Sequence, residues 1–256
     1  MINNQASSLQ QNRALREKKW HNQNFGTDVR SSVGKFYSIN TEADNIFREF
    51  IHKELDCHNT MLLDYGCGTG NDLMGISDKI IRGIGIDISE VLIEKAKSIA
   101  KDKGIKNTDF FVMDAMNTTF SNETFNIICG SAILHHLDLE LSLNEIKRIL
   151  KPTGKCFFIE PLNTNPLIFL YRKLTPHART RDEQPLRKKD IKKIKTIFPN
   201  AEIFYYSFFT LFAVPFRKSK HFIKIIKLLF FMDKVILHKK SPLKWLAWIC
   251  LLILKK

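Results

Sequence analysis

The feature that most restricts the fold is an alternation. Between residues 61 and 162, short apolar runs and amphipathic runs follow one another in turn. "TMLLDYG" reads as a buried strand and "NDLMGISDKI" as a helix after it. "GIGIDI" is a second strand, and "SEVLIEKAKSIAKDKG" a helix with Ser89 as N-cap and Gly104 as its stop. "TDFFVMDA" and "TFNIICGSAIL" supply strands three and four. "ELSLNEIKRILKPTGK" is a helix ended by Pro152 and Gly154, and "CFFIEPL" is a fifth strand. Ahead of them, "EADNIFREFIHKEL" (42–55) places Ile46, Phe47, Phe50, Ile51 and Leu55 at helical spacing behind Thr41 as N-cap. Strands and helices spaced in this way build βαβ units, and the fold class expected is α/β with a doubly wound parallel sheet.

The first strand runs into Gly66, Gly68 and Gly70, spaced G-x-G-x-G. The dinucleotide fingerprint puts its last glycine one residue further on, where this chain has Asn71. The strand also ends in Asp64, an acid that repels a phosphate and attracts an ammonium. Strand two ends in Asp87, 17 residues beyond Gly70, where a carboxylate can accept both hydroxyls of a ribose. Strand three ends in Asp114 and Ala115, suited to the amino group and ring of an adenine. Each acid alone also reads as a helix cap or a solvated turn. Three together, on the carboxyl edge of the sheet, point to a nucleoside with a cationic or zwitterionic tail.

This order of segments resembles the class I S-adenosylmethionine-dependent methyltransferases, in the broad group that includes the ubiquinone and menaquinone enzymes and bacterial small-molecule methyltransferases. The resemblance covers roughly residues 42–162 and rests on "LLDYGCGTG", "GIDIS", "FVMDA", "FNIICGSAILHHL" and "ILKPTGKCFFIEP". It implies a Rossmann-like seven-stranded sheet with the last strand antiparallel, and S-adenosylmethionine as cofactor with S-adenosylhomocysteine as product. It places Asp64, Gly66, Gly68 and Gly70 beside the methionine part, and Asp87 with Ile88 at the ribose. Asp114 and Ala115 would face the adenine, and Gly130 and Ser131 the sulfonium edge. "AEIFYYSFFTLF" reads as a sixth strand, for the far side of the sheet, and "WLAWICLLILKK" would be the final strand, lying between strands five and six, with membrane anchoring as the competing reading; its apolar core of ten residues is too short to span.

The sulfonium already supplies the electrophile in such chemistry, so the protein aligns, dries the site and, for some acceptors, supplies a base. His135 and His136 after strand four are base candidates because imidazole titrates near neutrality, and Glu160 at the end of strand five is a third. The competing reading of all three is packing and capping. After strand four the chain reads "CGSAILHH", without the Pro-Pro segment of enzymes that methylate nucleobase amino groups. Substrate candidates are Tyr37, Arg172, Arg179 and Arg181, with Arg187 beside them, in segments that relatives place over the acceptor. A solvated loop is the alternative.

Charge divides the chain. Residues 161–256 hold 21 Lys and Arg against 5 Asp and Glu, whereas residues 1–160 hold 19 against 21. Three parts are therefore expected: a polar N-terminal segment or lid (1–41), the cofactor-binding core (42–162), and a basic part (163–256) that completes the sheet. Within the last, "KHFIKIIKLLFFMDKVILHKK" puts Lys220, Lys224, Lys227, Lys234 and His238 on one helical stripe beside a wide apolar face. Such a helix lies in a lipid interface, or else packs on the sheet. The five cysteines are scattered, implying neither a disulfide frame nor a metal site, and "MINNQASSLQQNRALREKKW" lacks the apolar core of a signal peptide. The expectation is a cytoplasmic enzyme, peripheral on an anionic membrane surface, that methylates oxygen or carbon of a small hydrophobic or amphiphilic acceptor. RNA methylation using the basic third, and a non-catalytic cofactor-binding partner protein at the membrane, are the alternatives.

Overall fold

The computed structural model describes residues 13, 15–20, 22–23, 38–176, 180 and 182–256. Its centre is a seven-stranded sheet in the order β3-β2-β1-β4-β5-β7-β6. The strands are β1 (Met61–Tyr65), β2 (Arg82–Asp87), β3 (Thr108–Val112), β4 (Phe125–Ser131), β5 (Leu150–Pro161), β6 (Glu202–Tyr206) and β7 (Ile249–Lys255). β1 pairs in parallel with β2 on one side and with β4 on the other. That reversal of strand order opens a crevice at the carboxyl ends of β1 and β4, the place where doubly wound sheets bind ligands. β7 runs antiparallel between β5 and β6, as the resemblance implied.

Helices cover both faces because the strands are apolar on both. One face is packed by α1 (Thr41–His52), α3 (Glu90–Asp102) and α7 (Phe222–Ile236) through Phe47, Ile51, Ile93, Ala96, Ile226 and Phe230. The other is packed by α4 (Leu139–Ile149) and α6 (Lys188–Ile197) through Leu143, Ile146, Ile149, Ile191 and Ile194. Two short helices complete the path: α2 (Asn71–Met74), continued by a 3-10 turn at Ser77–Lys79, and α5 (Pro166–Leu174). Ser89 caps α3 by accepting the amide of Leu92 at 3.3 Å, and Gly104 follows the helix at φ +67°.

Three local expectations are corrected. Thr41 is the first residue of α1, and its hydroxyl bonds back to the Ser38 carbonyl, so Asn40 takes the N-cap place. Pro152 and Gly154 do not belong to a helix end, since α4 stops at Ile149 and β5 starts at Leu150. Leu150 pairs with Phe125 and Lys155 with Ile127, so the Pro-containing residues between them bulge over a single partner residue, a place where a missing amide costs little. Finally, "AEIFYYSFFTLF" is a strand only to Tyr206. Ser207 adopts φ +67°, and the buried Asp233 carboxylate takes the amides of Ser207, Phe208 and Phe209 at 3.0, 3.1 and 2.8 Å, turning the chain into a 3-10 stretch at Phe209–Phe216.

Candidate functional site

Beyond Tyr65 the chain turns through Gly66, Gly68 and Gly70, all at positive φ (+80°, +53° and +72°). A Cβ at Gly66 would stand 2.7 Å from the Ile133 side chain. At Gly68 it would meet nothing within 4 Å, so a side chain there would enter the space the loop borders. The loop is tied to the next strand: the Gly68 amide donates to Asp87 Oδ2 at 3.0 Å, and the Ser89 amide to Oδ1 at 2.9 Å. One strand further, Asp114 accepts the Met116 amide at 2.8 Å, and the Tyr65 hydroxyl donates to the Ala115 carbonyl.

Two cavities flank this loop and share Gly66, Gly68 and Ser131. The first, of about 230 Å³, is bounded by Asp87, Ile88, Asp114, Ala115, Ile133 and His136. The second, of about 710 Å³, is bounded by Asp64, Cys67, Asp72, Gly130 and four residues of α1, Phe47 and Arg48 among them. Asp64 is only 6% exposed, and no described residue donates a hydrogen bond to it. Burial first, and the neighbouring charges of Asp72 and Asp87 second, push its carboxyl up to about 8. A buried acid in that condition is stabilised by a cation. The crevice thus suits a ligand with an ammonium at the Asp64 end and a nucleoside at the Asp87 and Asp114 end. All ten residues expected to hold such a ligand border one cavity or the other or lie in the loop between them.

The catalytic candidates separate. Glu160 is wholly buried; Oε1 accepts the amides of Ile133 and Leu134 at 2.9 and 2.8 Å, and Oε2 meets His135 Nδ1 at 2.7 Å. His135 is 5% exposed, and burial holds its imidazole below the ordinary value despite Glu160. Its Nε2 faces Glu183 at 3.9 Å. Neither group borders the first cavity, whereas His136 does. The neighbour of His136 comes from far away in sequence: Glu17 Oε2 lies 3.1 Å from its Nδ1. His135, His136 and Glu183 each present a donor atom within 4.8 Å of the others, a set able to hold a divalent transition ion. Arg172 already answers Glu183 there, at 2.7 Å. Burial would raise the Glu183 carboxyl, but His135 and Arg172 together hold it below its ordinary value.

Glu17 belongs to a helical stretch at residues 15–20 that lies over the first cavity. Arg16 pairs with Asp182, Lys18 with Glu90, and Thr180 donates to Glu17 at 2.6 Å. Neither Glu17 nor Glu183 figured among the sequence candidates. Their segments are polar and aperiodic, and only contacts with residues far along the chain, His136, Thr180 and Asp182, give Glu17 and Arg16 their meaning. Arg172 points at Glu183 within the protein. Tyr37, Arg179 and Arg181 lie outside the described residues.

Comparison with known proteins places the chain in a family and a fold. The family described as "Methyltransferase domain" matches residues 57–205, more than half of the chain. The uncharacterized methyltransferase YcgJ of Bacillus subtilis is 27% identical over 146 residues, covering 56% of this chain and 57% of that protein. The demethylmenaquinone methyltransferase of Lactococcus lactis is 31% identical over 121 residues, covering 46% of this chain and 47% of its own. The chain thus spans about half the length of the curated relatives it matches. Among solved structures, geranyl diphosphate C-methyltransferase of Streptomyces coelicolor superposes with a TM-score of 0.57 at 12% identity, over 83% of this chain and 80% of that one, which shows a shared fold.

Proposed function

The chain belongs to the methyltransferase-domain family, and from that premise we propose that it transfers a methyl group from S-adenosylmethionine to an oxygen or carbon of a small amphiphilic acceptor. The observation that carries the reading is the pairing of a buried acid that no described residue answers, Asp64, with a loop left bare at Gly68 and a second acid, Asp87, across it. Those groups match the ammonium, the close backbone approach and the ribose of that cofactor. When bound, the cofactor supplies a methyl carbon made electrophilic by a sulfonium. Asp64 and Asp87 fix its two ends, and Ser131, where the cavities meet, marks the middle.

His136 is the residue placed to receive the acceptor's proton, because it borders the cavity and Glu17 lies beside its second nitrogen. His135 and Glu160 act behind it as positioning residues. Glu160 locks the backbone of residues 133–134 that presents the two histidines, and binds His135 itself. A relative named for demethylmenaquinone supports a small, largely apolar acceptor. The test has two arms. Calorimetry with S-adenosylhomocysteine should show one-site binding, and a dinucleotide bound in its place would refute the reading. Incubation with methyl-labelled S-adenosylmethionine and a lipid and metabolite extract, read by mass spectrometry, should give a labelled small molecule; label found only in RNA would move the acceptor to nucleic acid.

A further inference from the structure

The C-terminal third carries a surface that the methyl-transfer site does not use. Helix α7 is fixed to the protein by one edge, on which Ile226, Phe230 and Asp233 are buried. No described residue covers the opposite edge. Ile223, Leu228, Phe231 and Val235 are each more than half exposed, and so are Phe212 and Phe216 on the 3-10 stretch packed beside α7. Lys220, Lys224, Lys227 and Lys234 are exposed among them. Of the apolar stripe seen in the sequence, only part is spent on the core.

The charges identify what covers the rest. From residue 203 to 256 the only acid is Asp233. Its carboxylate is turned inward onto the amides of residues 207–210. None of Lys220, Lys224, Lys227 and Lys234 forms an ion pair with an acid among the described residues. A second copy of this chain docked face to face would set lysine against lysine. A nucleic acid would satisfy the lysines but give no reason for six exposed large apolar side chains. An anionic lipid surface answers both, with phosphates for the lysines and an acyl boundary for the phenylalanines and leucine. No helix among the described residues is long and apolar enough to cross a membrane, so contact would be in the interface plane.

We propose that α7 and the preceding 3-10 stretch form a docking surface for an anionic lipid bilayer. The test is co-sedimentation of the full chain with phosphatidylglycerol-containing vesicles and with pure phosphatidylcholine, at low and high salt. It needs neither cofactor nor acceptor, so it succeeds or fails independently of the methyl-transfer reading. The protein should sediment with the anionic vesicles and be released by salt, which screens exposed charges. Lys220→Gln, Lys224→Gln and Lys227→Gln together should weaken partition by roughly 10²-fold. Leu228→Ser with Phe231→Ser should weaken it as well, leaving the salt dependence in place. All five positions are exposed, so both variants should keep the wild-type unfolding temperature. Absence of sedimentation at low salt, or binding unchanged in both variants, would overturn the proposal. So would a dimer in solution that the Leu228→Ser and Phe231→Ser substitutions dissolve.

Discussion

Asp64 and Glu160 are both buried carboxylates near the carboxyl edge of the same sheet, on β1 and β5. Their surroundings are opposite. Glu160 is met by two backbone amides and an imidazole within 3 Å. No described residue donates to Asp64, and its carboxyl is pushed up to about 8. A buried acid with every lone pair answered is a piece of scaffold, because burial without partners costs free energy that the fold must find elsewhere. One left unanswered beside an open cavity has its partner in a ligand. The contrast therefore divides the edge into a part that binds and a part that holds.

The largest test of that division uses adjacent histidines. His136→Gln should lower turnover about 10²–10⁴-fold while S-adenosylhomocysteine binds as before, because it removes a proton acceptor at the cavity wall. His135→Gln should lower turnover by less and unfolding temperature by more, since its partner Glu160 lies inside the fold. Turnover lost in His136→Gln only in proportion to stability would return His136 to the packing category and erase the distinction.

Next come the acids. Glu160→Ala strands two backbone amides and a buried imidazole, so denaturant unfolding should show a loss of about 3 kcal/mol. Asp64→Asn removes a carboxyl that burial already disfavours, so it should leave stability level or higher and weaken cofactor binding. Equal destabilisation by both would contradict the division. Asp87→Ala sits between them: calorimetry should show roughly 1–3 kcal/mol of lost binding from one charge-assisted acceptor. Wild-type affinity in that variant would remove the ribose assignment.

How far all this was readable in the sequence depends on the range of the interaction. Asp64, Asp87 and Asp114 could be placed because each lies within two residues of the end of a strand whose apolar run is local, although β3 stops at Val112, short of Asp114, and strand ends of a parallel sheet share an edge. The antiparallel β7 was likewise legible through family resemblance. Pro152 and Gly154 misled because a helix stop and a β-bulge use the same residues, and only pairing with Phe125 and Ile127 separates them. The strand through Phe208 and Phe209 failed because Asp233, more than twenty residues on, offers their amides a better acceptor than a neighbouring strand would. Glu17 and Glu183 were invisible for the same reason carried further. Nothing local marks an acid whose partner is a histidine across the molecule.

The smallest expected effect is the most specific to Asp64, and it is a proton count. In the unfolded chain an aspartate titrates near ~3.9. In the fold this one titrates at about 8, so below that pH the ligand-free protein holds the carboxyl protonated. The sign for stability follows: the folded state binds this proton more tightly, so the contribution of Asp64 to stability of the ligand-free protein declines as pH rises from ~4 to about 8. Binding reverses the preference. An ammonium beside the carboxyl favours its charged form, so at pH ~7 the proton must leave as the ligand enters. Titration of S-adenosylhomocysteine in buffers of different ionisation enthalpy should therefore show close to one proton released per wild-type protein. Asp64→Asn should show almost none. Proton release that is absent in the wild type, or that persists in Asp64→Asn, would mean that the ammonium sits elsewhere and that the unanswered acid on β1 is not the mark of the ligand.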